Sequence, residues 1–124
     1  AVFLTPETLR QGFKAMLDKD ADFAFSVTSC PSPIQRALKI LPSGRLEMFN
    51  AEHRISRSQN LELAYHDAGQ FYWGKTEAFL DDLPTFSKHS VPVILPRFLV
   101  QDIDTPEDWT TAEYMFKSRN KILK

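Results

Sequence analysis

The sequence has 124 residues, 43% of them hydrophobic and 25% charged, a composition typical of folded globular proteins and not of disordered or fibrous chains. Fifteen Lys and Arg oppose sixteen Asp and Glu, so the formal net charge is -1 and no overall basic field exists to hold a nucleic-acid backbone. At this length about two thirds of the unfolded surface can be buried, so neither a disulfide nor a structural metal is needed for folding.

The single cysteine, Cys30, cannot form an intramolecular disulfide, which favours a reducing compartment such as the cytoplasm. No apolar run reaches the length of a membrane span, and Arg10 and Lys14 interrupt the first apolar segment before a secretory signal could form. We therefore expect a cytoplasmic protein without membrane contact. The chain opens on Ala1 and passes directly into a helix start, which indicates a piece of a longer chain.

A helix and a buried strand are the first predicted elements. Thr5-Pro6-Glu7 combines an N-cap residue, a proline at the first helical position and an acid near the positive helix end. The helix should end near Lys19 and bury one apolar stripe, formed by Leu9, Phe13, Met16 and Leu17. Residues 22–29 are aromatic and β-branched and predict a short buried strand, which Pro31 and Pro33 terminate.

The middle of the chain predicts a hairpin followed by an aromatic strand. Residues 37–41 and 45–49 flank Pro42-Ser43-Gly44, a turn sequence, and residues 50–60 are polar and aperiodic. An aromatic strand is expected over residues 70–75, between Gly69 and Gly74, with a short helix over residues 76–82.

Two extended segments and a helix are expected in the last third. Residues 90–95 and 98–101 are apolar, and Pro92 and Pro96 confine them to strand ends, edges or bulges. Thr105-Pro106-Glu107-Asp108 repeats the first helix start, and the last helix presents Trp109, Ala112 and Phe116 on one face. Helices that alternate with short strands predict an α/β sandwich with a mostly parallel sheet and an inserted hairpin.

Asp102 and Asp104 are the strongest candidates for chemistry. They lie two residues apart at the end of the predicted strand 98–101, so the pleat should point both carboxylates to one side. Mg²⁺ is usually bound by one or two carboxylates, with waters and phosphate oxygens as its other ligands. The alternative is that acids placed before a helix only complement its dipole.

The run from Leu95 to Trp109, LPRFLVQDIDTPEDW, resembles the C-terminal signature of the CMP-acylneuraminate and pseudaminic acid cytidylyltransferases. Residues 21–28, Arg57-Ser58-Gln59 and residues 65–73 support the resemblance, which covers essentially the whole chain in family order. It implies a three-layer Rossmann-like nucleotidyltransferase fold, of which residues 1–124 are the C-terminal portion. Residues 36–60 would then form a hairpin and loop used in a homodimer.

The resemblance also implies an activity. CMP would pass from CTP to the anomeric hydroxyl of a nine-carbon acidic sugar, pyrophosphate would leave, and Asp102 and Asp104 would hold Mg²⁺. Ala68-Gly69-Gln70 stands where the neuraminate branch commonly has Asn-Gly-Ala, which favours pseudaminic acid over N-acetylneuraminic or legionaminic acid.

Six further residues are candidate sugar contacts through the same resemblance. Arg57 and Arg36 would grip the sugar carboxylate, because the planar guanidinium is suited to a bidentate contact. The other four are Gln35, Gln70, Phe71 and Tyr72. The alternatives are that the arginines are solvated loop charges and that the aromatic run belongs to the core. On the expected strand, Gln70 and Tyr72 share one face and Phe71 lies on the other.

Other chemistries lack support in the sequence. The three histidines have no metal-ligand spacing, no nucleophile elbow is present, and Cys30 has no basic neighbour that would activate its thiol. The four glycines are scattered, so no Gly-rich loop can cradle a triphosphate, and we expect these 124 residues alone to be inactive. A non-catalytic sugar-binding or dimerisation module of the same fold is the alternative function.

Overall fold

The computed structural model describes residues 1–122, except for the side chains of Asn120 and Ile122, so the last two residues of the predicted domain lie outside it. The described chain is of the α/β class, as predicted. Its helices and strands are α1 Pro6–Asp18, β1 Phe23–Ser29, β2 Leu38–Ile40, β3 Leu46–Met48, β4 Tyr65–Gly74, α2 Thr76–Leu80, β5 Ser90–Leu95 and α3 Pro106–Ile122. The chain divides into a main unit, residues 1–28 and from 67 onward, and an inserted unit, residues 29–66.

A three-stranded sheet in the order β4-β1-β5 organises the main unit. Strands β1 and β5 are parallel, in a register that runs from Phe23 opposite Ser90 to Thr28 opposite Leu95. Strand β4 is antiparallel to β1. This direction is seen from the amide of Lys75, just after β4, which donates to the carbonyl of Asp22, just before β1, at 2.9 Å. The described sheet is therefore mixed, and the expectation of a mostly parallel sheet holds only for the β1–β5 pair.

Helix α1 packs closely against the sheet through a glycine. The Thr5 hydroxyl caps its N-terminus by accepting from the Thr8 amide at 3.3 Å, as the sequence predicted. A Cβ added to Gly12 would lie 2.6 Å from the ring of Phe71, so only glycine permits this approach. The predicted stripe was partly wrong: Gly12 and Met16 are buried, whereas Phe13 and Leu17 are 44% and 59% exposed.

Strand β1 is the centre of the core, and its residues 23–28 are all buried. On one face of the sheet, Met16, Ala21 and Ala24 form a buried cluster with Trp73 packed against it. On the other face, the ring of Phe25 lies 5.5 Å from that of Phe86. The buried hydroxyl of Thr28 donates to the carbonyl of Leu95 at 2.7 Å, which ties β1 to β5.

The strand predicted over residues 98–101 is not present. Residues Arg97–Leu99 form a 3-10 turn in which the Leu99 amide donates to the carbonyl of Pro96 at 3.0 Å. Hydrogen bonds within this turn thus satisfy backbone groups that would otherwise pair with a neighbouring strand. Residues 100–103 belong to no strand. Helix α3 starts where predicted, and the Asp108 carboxylate accepts from the amides of Asp104 and Thr105 at 3.0 and 2.9 Å.

The inserted unit contains the predicted hairpin. Strands β2 and β3 are antiparallel, with Leu38 opposite Met48 and Ile40 opposite Leu46, and Gly44 supplies the positive φ of 83° that the turn needs. Two short 3-10 turns, Ala51–His53 and Ser58–Asn60, follow. The use of residues 36–60 in dimerisation stays a prediction. Over the described residues, no helix combines the length and apolarity that crossing a membrane requires.

Candidate functional site

A cavity of about 200 Å³ in the main unit brings together two of the residues singled out in the sequence, Gln70 and Asp102. It lies between the bend in β4 and the segment that leads into α3. Its other lining residues are Ala1, Val2, Ala68, Gly69, Gln101 and Ile103.

A bend in β4 shapes the wall of this cavity. Gly69 has a φ of +67°, a conformation that favours glycine, and its amide donates to Oδ1 of Asp67 at 2.8 Å. A Cβ added to Gly69 would lie 3.8 Å from Oδ2 of Asp102, so the strand backbone approaches this carboxylate. Bends of this kind re-aim side chains beside binding sites.

The side chain of Gln70 is fixed at this bend. Its Nε2 donates to the carbonyl of Leu99 at 2.6 Å, and its backbone amide donates to the buried hydroxyl of Ser26 at 3.2 Å. The 3-10 turn that replaced the expected strand therefore supplies the acceptor that orients Gln70. Neither Ser26 nor Leu99 was singled out in the sequence, because nothing in their local pattern separates them from other core residues.

Asp102 and Asp104 are both exposed, and they differ in their surroundings. Asp102 lines the cavity, and its Oδ1 accepts from the Ile103 amide at 3.2 Å. Asp104 is not among the lining residues, and its backbone amide donates to Asp108 at the start of α3. In the described chain, no strand leads into Asp102 and Asp104. The prediction that a strand pleat points both carboxylates to one side was therefore wrong.

The two carboxylates nevertheless fit the kind of Mg²⁺ site in which a bound substrate supplies several of the metal ligands. Over residues 1–122, no cluster of three or more His, Cys, Asp or Glu side chains could hold a metal ion. One or two exposed carboxylates are, however, the usual protein share of a magnesium site, where waters and phosphate oxygens supply the rest. Metal binding by Asp102 and Asp104 stays a prediction.

Tyr72 and Phe71 lie on opposite faces of β4. The Tyr72 hydroxyl donates to Oδ2 of Asp67 in a short hydrogen bond. Desolvation, then this hydrogen bond and the negative charges of Asp67 and Asp102, raise the pKa of Tyr72 to about 12. Tyr72 is 46% exposed, whereas Phe71 is 8% exposed and packs with Val93 and Leu95. The position of Phe71 favours the core interpretation, and a sugar contact for either ring stays a prediction.

Asp67 is a residue that the sequence reasoning missed. It holds both the Gly69 amide and the Tyr72 hydroxyl, so one carboxylate braces the two sides of the bend. The signal for it was present in Asp67-Ala68-Gly69, because an Asp two residues before a glycine often bonds to that glycine's amide.

Three predicted sugar contacts belong to the inserted unit. Arg36 and Arg57 are exposed there. Gln35 is partly buried, and its Nε2 donates to the carbonyl of Glu62 at 3.1 Å. Its Oε1 is buried without a hydrogen-bond partner in the described chain, an arrangement that leaves an acceptor for a ligand or water. The roles of all three residues stay predictions.

The chain is similar to enzymes of known activity. It is 39% identical over 117 residues, 94% of its length, to the pseudaminic acid cytidylyltransferases of Campylobacter jejuni subsp. jejuni serotypes O:2 and O:23/36. The predicted family resemblance is confirmed. The match covers 50% of each Campylobacter protein, so the chain spans about half the length of these relatives.

A third relative carries two activities in its name. The chain is 30% identical over 104 residues, 83% of its length, to a Helicobacter pylori protein named pseudaminic acid cytidylyltransferase and UDP-2,4-diacetamido-2,4,6-trideoxy-beta-L-altropyranose hydrolase. That match covers 20% of the Helicobacter protein. No family model matches the chain.

Proposed function

We propose that this chain forms the sugar- and metal-binding part of a cytidylyltransferase that transfers CMP from CTP to pseudaminic acid. The observation that carries the proposal is the cavity lined by both Gln70 and Asp102, in a chain 39% identical to pseudaminic acid cytidylyltransferases. N-acetylneuraminic and legionaminic acid are the alternative sugars. A cytoplasmic homodimer remains part of the proposal.

In the proposed reaction the anomeric hydroxyl of the sugar attacks the α-phosphorus of CTP. A new oxygen–phosphorus bond forms, the bond to pyrophosphate breaks, and the hydroxyl proton is lost. Such transfers depend mainly on positioning and on stabilisation of the charge spread over the phosphoryl oxygens. Mg²⁺ held by Asp102 and Asp104 would supply positive charge beside those oxygens.

The chain's own side chains would bind and orient the sugar. With its Nε2 bonded to Leu99, the Gln70 amide keeps its carbonyl oxygen as the acceptor for a sugar hydroxyl or acetamido N–H. The exposed guanidinium groups of Arg36 and Arg57 are suited to the sugar carboxylate. Tyr72 stays protonated at neutral pH, because its pKa is about 12, and therefore adds no charge to a site that binds anions.

A chimera provides the test of this function. This chain would replace the matching 117 residues of the Campylobacter jejuni relative, and pyrophosphate release would be measured with CTP, Mg²⁺ and a panel of acidic sugars. We expect turnover with pseudaminic acid, and a loss of about 10²- to 10³-fold in kcat for Asp102→Ala and for Asp104→Ala, the scale seen when a charge-stabilising group is removed.

Asp18→Ala is the matched control for the chimera. Asp18 is also an exposed carboxylate, but it is paired with Lys14 on α1, so its removal should leave turnover unchanged. Normal turnover in a folded Asp102→Ala chimera would exclude the proposed metal site. A folded chimera that binds pseudaminic acid without releasing pyrophosphate would favour the non-catalytic sugar-binding module instead.

A further inference from the structure

Asp67 joins two points of the bend in β4 through one carboxylate. Its Oδ1 accepts from the Gly69 amide at 2.8 Å, and its Oδ2 accepts from the Tyr72 hydroxyl. Gly69 lines the cavity that Gln70 and Asp102 share, and a Cβ added to Gly69 would lie 3.8 Å from Oδ2 of Asp102. The Asp67–Tyr72 pair therefore stands at the edge of this cavity.

The bond to Asp67 fixes the direction of the Tyr72 hydroxyl proton. A phenol has one proton to donate, and an ionised carboxylate can only accept. Since that proton points to Asp67, the Tyr72 oxygen offers lone pairs, and no donor, to a ligand. Tyr72 is 46% exposed, so a ligand can reach its side chain. A ligand group that bonds to this oxygen must therefore be an O–H or an N–H.

Gln70 presents a second acceptor on the same strand. Its Nε2 donates to the Leu99 carbonyl at 2.6 Å, which leaves Oε1 as the acceptor of this amide group. Residues two apart on a strand share a face, so the two acceptors stand on one side of β4. Asp67 adds a negative charge beside Tyr72, which disfavours an anionic group at this place.

We propose that Asp67 is a positioning residue that sets the direction in which the acidic sugar binds. By holding the Tyr72 proton, it makes Tyr72 and Gln70 a pair of acceptors for N–H or O–H groups of the sugar, and it turns the sugar carboxylate away from this strand. The inference rests on the proposed function, because it concerns the sugar of that reaction. Asp67 acts through Tyr72 and does not itself touch the sugar.

The test uses the active chimera and compares two single variants. Tyr72→Phe removes the acceptor oxygen, and it should raise KM for pseudaminic acid about fivefold, the scale of one neutral hydrogen bond. Asp67→Asn can turn an N–H toward Tyr72, which directs the hydroxyl proton at the sugar instead, and it should raise the same KM about tenfold. In both variants we expect kcat and KM for CTP to change less than about twofold, as for an interaction that contributes to sugar binding alone.

The double variant separates this role from a purely structural one. Asparagine retains an oxygen for the Gly69 amide, although the bond loses its charge assistance. If Asp67 acts through Tyr72, Asp67→Asn added to Tyr72→Phe should change KM by less than about twofold, because the hydroxyl it directs is already gone. Asp18→Asn on α1 and Tyr114→Phe on α3, both exposed, are the matched controls and should leave all constants unchanged.

Each outcome decides the inference. A raised KM for the sugar in both single variants, without additivity in the double variant, supports it. Unchanged kinetics for Asp67→Asn, additive effects, or an equal rise in KM for CTP would overturn it while the proposed function stands. An inactive unsubstituted chimera would overturn the proposed function and this inference together. Circular dichroism checks folding, and Asp67→Ser, which is too short to reach Tyr72, replaces an Asp67→Asn protein that does not fold, with the same expectation.

Discussion

The main unit and the inserted unit are stabilised in different ways. All the buried core residues of the described chain lie in the main unit, and residues 29–66 are without exception exposed or partly exposed. In the main unit, β1 is packed on both faces by aromatic and aliphatic side chains. In the inserted unit, hairpin side chains such as Ile40 and Leu46 are 76% and 64% exposed.

This difference divides the candidate site residues into two kinds. Gln70 and Asp102 stand on a backbone held by a core, so their geometry is preorganised. Arg36 and Arg57 stand on a segment with little burial of its own, which in other proteins opens locally at low free-energy cost. Arg36 and Arg57, the predicted carboxylate contacts, would therefore be ordered mainly by the groups they contact.

Truncating a buried aromatic ring of the main unit should give the largest difference in stability between the two units. Phe23 is 1% exposed and meets Phe79 edge to face at 5.3 Å, so Phe23→Ala should lower the free energy of unfolding by about 3–5 kcal/mol. Leu46→Ala in the hairpin should change it by less than about 0.5 kcal/mol, since Leu46 is 64% exposed. Urea unfolding followed by circular dichroism measures both, and equal effects would contradict the division.

The helix–sheet contact at Gly12 should have the next largest effect. Alanine is the better helix former by about 1 kcal/mol, but its Cβ would lie 2.6 Å from Phe71 and 2.8 Å from Trp73. Overpacking of this kind costs about 1–3 kcal/mol, so Gly12→Ala should be net destabilising by roughly 1 kcal/mol. Gln11→Ala on the exposed side of α1 is the control, and a Gly12→Ala protein more stable than wild type would show that the helix can move away.

Local patterns were sufficient to predict much of this architecture. Helix starts at Thr5 and Thr105, strand β1 and the turn at Gly44 all depend on residues near in sequence, and each was found where expected. The segment 98–101 was misassigned because its apolar composition fits a strand equally well. Pro96 instead begins a turn whose bonds are satisfied locally.

The candidate site was less accessible to local reasoning. Asp102 was identified through its motif, but its place in one cavity with Gln70 involves the positive φ of Gly69 and a bond from Gln70 to the Leu99 carbonyl, 29 residues away in sequence. The mixed direction of the sheet was likewise not predictable, because β1 and β4 are distant in sequence and no local pattern gives the direction in which two such strands pair.

The smallest expected effect is on the stability linked to the Tyr72 hydroxyl beside the bend in β4, and it appears at high pH. The raised pKa of Tyr72, about 12 against an ordinary 10.0, means that the folded protein retains a proton that the unfolded chain loses. Stability from this hydroxyl is therefore complete below pH 10 and is lost as the pH rises toward 12. Asp67→Asn removes the carboxylate that accepts from Tyr72, so the tyrosine pKa should fall toward its ordinary value.

Ultraviolet titration of the tyrosine absorbance measures this shift directly. The chain has three tyrosines, so Tyr72→Phe identifies the component that belongs to residue 72. Desolvation is the largest cause of the shift, so Asp67→Asn should retain part of it. An unchanged titration would mean that the Asp67 bond contributes nothing to the raised pKa of Tyr72. A lowered pKa together with faster exchange of the Gly69 amide would show that one carboxylate holds both sides of the cavity wall, because the two bonds it accepts would then fail together.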